Sequence, residues 1–218
     1  DILAVDVPAG YTTLFVFPYS VGFQFSGFKN LAALNEAITK RLKNLGVTTL
    51  LFMRHLELIE YEIKIPGKEA SGEYLLDAEP VNDHCTRVSA IESEDDKTDE
   101  SLSFIKFSMP IDSMVSTRTI DVAFTVATDK EGKTTFQKAK NPYISVYFPT
   151  ETESKLDFIV QGPFRTTPNR SSVPADEEEN EALAEQTAKL LRQSVLELRD
   201  MGLLDLSLIR ILPLDEDD

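Results

Sequence analysis

The middle of the chain is a series of short apolar segments separated by turn residues, and this pattern constrains the fold more than any other feature. In the clearest segment, apolar residues alternate with the period of two that is typical of a strand: Ile120, Val122, Phe124 and Val126. Gly132, within Asp129 to Lys133, supplies the following turn. Further strands are predicted at 56–63, 73–77, 84–91, 102–109, 143–148 and 156–160, and the acidic residues 92–100 join two of them as a hairpin tip. These segments predict a β-meander.

Two amphipathic patterns predict helices. Asn30 is a suitable cap for a first helix that ends near Gly46, with one apolar face formed by Leu31, Leu34, Ile38, Leu42 and Leu45. A longer helix is predicted from Asp176 to Met201, with acidic residues in its first turns and Gly202 at its end. Its leucine stripe suits a partner's groove, a coiled coil or the covering of the meander, and covering is the commonest of these uses.

The remaining segments complete an α+β prediction. Residues 48–55 predict a short helix or turn, and Ser207 to Leu212 predict a last strand. The 218 residues are enough for one large domain or two small ones, and a hydrophobic content of 42% is enough for a core. The predicted fold class is therefore α+β, a mixed or antiparallel meander packed with helices.

The net charge of −15 comes from three acidic segments, at 92–100, 176–181 and 215–218. Acids and bases nearly balance elsewhere, so no basic stripe is present for a phosphate backbone, and nucleic acid is not an expected partner. No apolar run approaches the roughly 20 residues that span a bilayer, so no membrane association is expected. The first residues lack the basic flank of a signal peptide, and Cys85 is the one cysteine, which together predict a cytoplasmic location.

The start of the chain suggests a piece of something larger. Residues 11–17 are β-branched and aromatic and stop at Pro18, which predicts a buried strand. The chain begins at Asp1 rather than Met. A piece cut from a longer protein has such a start, although proteolytic processing or the choice of expression boundaries gives it too.

The segment Asp157 to Pro174 is the strongest candidate for a functional site. An apolar strand leads into a loop with three prolines and two arginines, Arg165 and Arg170, immediately before the long helix. Arginine presents a planar fork of donors that suits phosphate oxygens, and prolines reduce the entropy lost when such a loop is ordered. The alternative is an ordered connection in which both arginines pair with nearby carboxylates.

Three other chemistries are not favoured by the sequence. Residues 127–134 approach the P-loop pattern, but Thr134 to Phe136 continue as a strand, so this segment is a hairpin turn. His84, Cys85 and His55 lack the spacing of a zinc site. No nucleophile elbow accompanies either histidine, so hydrolase chemistry is not indicated.

Several blocks together resemble a known family. They are Thr12 to Pro18, Leu50 to Glu60, Tyr147 to Thr150, and Gln161-Gly162-Pro163-Phe164-Arg165-Thr166-Thr167-Pro168. These blocks resemble bacterial ATP-binding proteins related to the ninety-kilodalton heat-shock chaperones and sacsin, within the gyrase, heat-shock chaperone, histidine kinase and MutL superfamily. The resemblance covers about Tyr11 to Leu212 and falls on the transducer, or middle, domain after the nucleotide-binding domain.

The resemblance implies a fold and a division of the chain. It implies a left-handed βαβ unit of the ribosomal-protein type. Residues 1–20 would be the final strand of the upstream nucleotide-binding domain, 21–214 the transducer domain and 215–218 an acidic tail. The superfamily's Glu-x-x-x-Asn and Asp-x-Gly-x-Gly patterns do not occur in this sequence, so the chain alone is not expected to be an enzyme.

The resemblance also implies a site that works with ATP and Mg in the intact protein. Arg170 is similar by loop context to the middle-domain arginine that reaches the γ-phosphate, with Arg165 second and Asn169 as a weaker cofactor-binding residue. A transducer lysine, as in MutL-type relatives, is the alternative contact. The implied partners are the upstream nucleotide-binding domain, a client or partner protein, and a second copy in a homodimer.

The function expected from this resemblance is transduction, in which ATP binding and hydrolysis upstream drive a conformational change through this domain. The alternative is a passive protein-interaction scaffold that has the architecture but no ATP coupling.

Overall fold

The structure is a computed structural model that describes residues 27–65, 67–94, 97–111, 118–140 and 142–213, with the side chains of 97–99 excepted. The described residues fall into two compact units. One ends at Leu45 and includes Ile65–Lys68, and the other consists of Gly46–Lys64 and the chain from Glu69 onward. The strand predicted at 11–17 and the acidic tail at 215–218 lie outside the described residues.

The first unit contains helix α1 (Leu31–Lys43). Its predicted cap is confirmed, because Asn30 Oδ1 accepts a hydrogen bond from the Ala33 N–H at 2.8 Å. The predicted apolar face is confirmed only in part. Leu34 is buried, but Ile38 and Leu45 are exposed, and Thr39 is buried instead.

The second unit is built on a mixed, mostly antiparallel sheet. Among the described residues the sheet has nine strands in the order β1-β2-β3-β4-β5-β9-β7-β8, with β6 paired to β5. β7 and β9 pair in parallel. The strands are β1 (Leu58–Ile65), β2 (Lys68–Pro80), β3 (Cys85–Glu94), β4 (Lys97–Pro110), β5 (Thr119–Thr128), β6 (Thr134–Gln137), β7 (Tyr143–Val146), β8 (Phe148–Glu153) and β9 (Ile159–Gln161).

The two faces of this sheet carry separate cores. One face is covered by α2 (Glu178–Asp200) and α3 (Leu206–Ile209), which bury Leu183, Leu190, Leu198 and Leu208 against strand residues such as Phe124. The other face is covered by consecutive turns over residues 46–53. These turns bury Val47, Leu50, Leu51 and Phe52 against Tyr74, Val88, Phe104 and Ile159. No helix in the described ranges is both long and apolar enough to cross a membrane.

The α+β class, the meander and the long helix are confirmed, and three details were wrong. Residues 207–212 do not form a strand, and α3 occupies Leu206–Ile209, because Asp205 Oδ1 accepts hydrogen bonds from the Ser207 and Leu208 N–H groups and so starts a helix. The hairpin tip is shorter than predicted, since β3 and β4 pair as far as Glu94 and Lys97. The strand predicted at 143–148 is interrupted at Tyr147, whose φ of 64° lies in the left-handed region.

Candidate functional site

The loop from Gly162 to Pro174 connects β9 to α2, and its first residues continue the pairing of the sheet. The Gly162 N–H donates to the Ser145 carbonyl oxygen at 3.1 Å. A Cβ atom at position 162 would lie 2.8 Å from Cε2 of the buried Phe164 ring, so this position requires glycine. Phe164 therefore fixes the start of the loop against the sheet.

The other end of the loop is held by Asn180, a buried residue in the first turn of α2. Its Oδ1 accepts from the Arg165 N–H at 2.7 Å, and its Nδ2 donates to the Arg165 carbonyl oxygen at 3.1 Å. Nδ2 also donates to the Pro174 carbonyl oxygen at 2.8 Å. One amide side chain thus holds both ends of the segment 165–174 on the helix. Asn180 was not predicted from the sequence, although an amide among the acids that begin a helix is a visible signal.

The middle of the loop lies along β8. The Glu151 N–H donates to the Ser171 carbonyl oxygen at 2.7 Å, and the Val173 N–H donates to Thr152 Oγ1 at 2.8 Å. The loop is consequently fixed to the sheet, to β8 and to α2.

A tight turn at the tip of the loop contains Asn169 and Arg170. The Arg170 N–H donates to the Thr167 carbonyl oxygen at 2.7 Å, and Arg170 has a left-handed φ of 60°. Asn169 Oδ1 accepts from Thr167 Oγ1 at 2.7 Å and from Ser171 Oγ at 3.0 Å. The acceptor atom of Asn169 is therefore used within the turn, and its Nδ2 group is the part left to contact a ligand.

Arg165 lies against the acidic first turn of α2. Its Nη1 is 3.2 Å from Glu177 Oε2, and its Nε is 3.0 Å from Glu179 Oε2. The guanidinium charge is balanced by two carboxylates, so for Arg165 the loop is an ordered connection with a paired arginine. Because the pair is largely exposed, it contributes little stability.

Arg170 has a different environment. Its Nη2 donates to the Val146 carbonyl oxygen at 3.1 Å, at the end of β7, and the residue is exposed. No carboxylate in the described part of the chain forms an ion pair with it. The structure thus gives the two arginines separate partners, the start of α2 for Arg165 and the β7 end for Arg170, and within the described ranges no acid balances the Arg170 charge.

A buried polar network adjoins the loop on the face opposite α2. Asp121 is buried on β5, and its carboxylate accepts from Ser108 Oγ, from Thr119 Oγ1 at 3.0 Å and from Gln161 Nε2 at 2.8 Å. Gln161 Oε1 in turn accepts from the Tyr147 N–H at 3.1 Å. Gln161, the residue before Gly162, therefore connects the start of the loop to Asp121.

Lys106 lies on the same face as Asp121, one strand away on β4. Its Nζ donates to the Leu51 carbonyl oxygen at 3.2 Å. Burial lowers the pKa of Lys106, the Asp121 carboxylate acts against that shift, and nearby Arg54 adds to it. Neither Lys106 nor Asp121 was predicted from the sequence as a site residue. The available signal was a charged residue inside each of two strongly apolar strands, Phe104 to Phe107 and Ile120 to Phe124.

The structure also describes the segment that approaches the P-loop pattern and the single cysteine. The segment 129–133 is a turn between β5 and β6, in which Asp129 Oδ1 accepts from the N–H groups of Glu131 and Lys133, each at 2.9 Å. Its interpretation as a hairpin turn is confirmed. Cys85 is fully buried, and its burial raises the pKa of the thiol to about 11.

Comparison with known proteins adds no family. No protein-family model matches the chain, and no curated protein or solved structure matches it significantly.

Proposed function

We propose that this chain is the transducer domain of a chaperone-like ATPase, and that it couples ATP binding and hydrolysis in an upstream nucleotide-binding domain to conformational change. The chain is not catalytic alone in this proposal. ATP and Mg bind in the intact protein, and residues 1–20 complete the upstream domain. A left-handed βαβ unit and a cytoplasmic bacterial setting belong to the same proposal, which depends on the family resemblance.

The observation that carries the proposal is the environment of Arg170. An exposed guanidinium that has no carboxylate partner among the described residues lies at the tip of a loop that is fixed to the sheet, β8 and α2. Such a group is ready to contact a γ-phosphate, and a rigid loop reduces the entropy lost on contact. The left-handed φ of Arg170 is a local strain of the kind that functional sites retain.

The arrangement also ranks the two arginines. Arg165 is already paired with Glu177 and Glu179, so a phosphate would have to displace two carboxylates from it. Arg170 donates one hydrogen bond to a neutral carbonyl oxygen and keeps further N–H donors for a ligand. We therefore assign the phosphate contact to Arg170, with Arg165 as a positioning residue that pairs the loop with the start of α2, and with the Nδ2 of Asn169 beside Arg170.

In this proposal, ATP shifts an equilibrium between open and closed arrangements of the intact protein. ATP favours the arrangement in which Arg170 reaches its γ-phosphate, and hydrolysis removes that preference. The loop is joined by hydrogen bonds to both β8 and α2, so a displacement of the loop would be passed to those elements.

A passive interaction scaffold is the second candidate, and one observation favours it. Leu204, Leu206 and Ile209, around α3, are exposed, with Leu206 at 70%. Apolar side chains grouped in this way are typical of protein-binding surfaces. A scaffold would use them without any response to ATP.

Hydrogen exchange in the intact protein distinguishes the two functions. Transduction requires that a non-hydrolysable ATP analogue slow amide exchange in the peptide 163–174, while an exposed stretch of α2 around Arg192 serves as an internal control. If the analogue binds and exchange in 163–174 does not change, the loop does not contact nucleotide and the scaffold is favoured.

A further inference from the structure

A cavity of about 460 Å³ opens on the sheet face that carries Asp121, beside the turns at 46–53. Its apolar lining residues are Phe52, Met53, Leu76, Ala78 and Pro80. Its polar lining residues include Lys106, Arg54, Thr86 and Ser108. Small-molecule sites combine an apolar wall with a few polar groups in this way.

The hydrogen-bonding groups of this cavity favour an anion. Asp121 also lines it, but its carboxylate oxygens already accept three hydrogen bonds within the protein. Lys106 has three N–H donors, and in the described part of the chain one acceptor, the Leu51 carbonyl oxygen, takes a hydrogen bond from it. Lys106 thus retains N–H donors for a ligand, whereas the acceptors of the Asp121 carboxylate are occupied.

Arg54 places a second cation at this cavity. Its Nη2 donates to Thr119 Oγ1 at 3.3 Å, which fixes the guanidinium group at the end of β5. Two neighbouring cations repel each other, and Arg54 indeed lowers the pKa of Lys106. A bound anion would relieve this repulsion and replace water lost on burial of the ammonium group. Glu57 is the one further acid among the described lining residues.

We propose that this cavity binds a small organic anion, whose phosphate or carboxylate group is held by Lys106 and Arg54 and whose apolar part lies against Phe52. The site lies on the sheet face opposite α2. It is independent of the proposed transducer function, because it requires neither Arg170 nor an upstream domain.

The test uses the 218-residue chain labelled with ¹⁵N and titrated by NMR with four probes. Phenyl phosphate and benzoate combine an anion with an apolar ring, benzyl alcohol has the ring without the charge, and inorganic phosphate has the charge without the ring. We expect at least one of the aromatic anions to bind with a Kd of about 1 mM or lower, as suits a ligand of this size. The Thr86 and Ser108 amide signals should shift, and both benzyl alcohol and inorganic phosphate should bind more weakly. The aromatic anion that binds more tightly shows whether the site prefers a phosphate or a carboxylate head group.

Variants locate the binding. Lys106→Met and Arg54→Met should each weaken binding about tenfold, since each removes a charged hydrogen-bond donor. Glu57→Gln should tighten it, and Lys189→Met, which removes an exposed lysine on α2, should leave it unchanged. Circular dichroism checks the folding of each variant. If Lys106→Met does not fold, Arg54→Met still tests the proposal, because Arg54 is exposed and its substitution should leave the fold intact. Failure of both aromatic anions to shift these signals at about 10 mM, or equal binding by the wild type and the two cation variants, overturns the proposal.

Discussion

Arg170 and Gln161 hold the two sides of one peptide group, the bond between Val146 and Tyr147. Arg170 donates to its carbonyl oxygen at 3.1 Å, and Gln161 Oε1 accepts from its N–H at 3.1 Å. Tyr147, at the same point, has a left-handed φ of 64°. Since Gln161 also binds Asp121, one peptide group connects the exposed arginine of the loop to the buried polar network of the sheet.

The strain at Tyr147 can be measured by comparing glycine and alanine. We expect Tyr147→Gly to be more stable than Tyr147→Ala by about 1 kcal/mol, because both remove the side chain and only glycine adopts a positive φ freely. Urea unfolding of the two variants measures the difference. At Glu151, in the middle of β8, the same comparison should favour alanine. If alanine is favoured at both positions, Tyr147 is not strained.

Gln161 should be important to stability because it is buried and makes three hydrogen bonds. Gln161→Leu keeps the approximate size but leaves the Tyr147 N–H without an acceptor and removes one donor from Asp121. The expected loss in free energy of unfolding is about 1–3 kcal/mol, measured by chemical denaturation. Gln137→Leu, at an exposed position on β6, is the control and should change stability little. Equal stabilities of the two variants would show that the Gln161 hydrogen bonds are not needed.

Asn180→Ala should release the loop from α2. It removes the three hydrogen bonds that hold Arg165 and Pro174, and the expected loss of stability is about 1–3 kcal/mol. Trypsin should then cut faster after Arg165 and Arg170 under native conditions. Gln193→Ala removes an exposed amide from the same helix and should alter neither measurement. Cleavage at the wild-type rate would contradict the role of Asn180 as the anchor of the loop.

Cys85 should be unreactive in the folded protein. Burial, with a smaller contribution from Glu197, raises the pKa of its thiol to about 11 from an ordinary value of 9.0. The thiolate fraction at pH 8 falls about a hundredfold, and labelling by a disulfide reagent should slow by at least that factor relative to the protein in urea. Equal labelling rates would contradict the burial of this thiol.

The same shift makes a contribution to stability that depends on pH. Because the folded pKa is above the unfolded one, the contribution is complete below pH 9 and is lost as the pH rises toward about 11. The advantage of the wild type over Cys85→Ala should therefore shrink across that range, as measured by thermal unfolding at each pH. A constant difference would indicate that the thiol does not titrate with a raised pKa.

The parts of the fold that the sequence predicts well are those with a regular apolar repeat and clear residue signals at their ends. Asn30 and the stripe from Leu183 to Leu198 predict helices because capping and a period near 3.6 are local properties. The alternation from Ile120 to Val126 predicts a strand for a similar reason. The strand prediction for residues 207–212 was wrong because its five apolar and hydroxyl residues fit a strand as well as a short helix capped by Asp205. The packing of Leu208 in the core decides between the two.

The site was predictable as a loop but not as a set of contacts. Prolines and arginines mark residues 163–174 in the sequence, whereas the pairing of Arg165 with Glu177 depends on how the loop meets α2. The Asp121 network joins residues from three separate strands, so no local pattern reveals it. Only the presence of single charged residues in apolar strands indicates that such partners must exist.

The central claim, that Arg170 completes an ATPase site, is tested most directly by ATP turnover of the intact protein. The variants are Arg170→Ala, Arg165→Ala and Arg192→Ala, the last being an exposed arginine on α2, with nucleotide affinity and circular dichroism measured for each. We expect Arg170→Ala to lower kcat by about 10³-fold or more, the range seen for arginines that stabilise phosphoryl transfer, with little change in affinity. Arg165→Ala should have a smaller effect, and Arg192→Ala none. Turnover by Arg170→Ala equal to that of Arg192→Ala would contradict the account, and absence of turnover in the wild type would favour the scaffold.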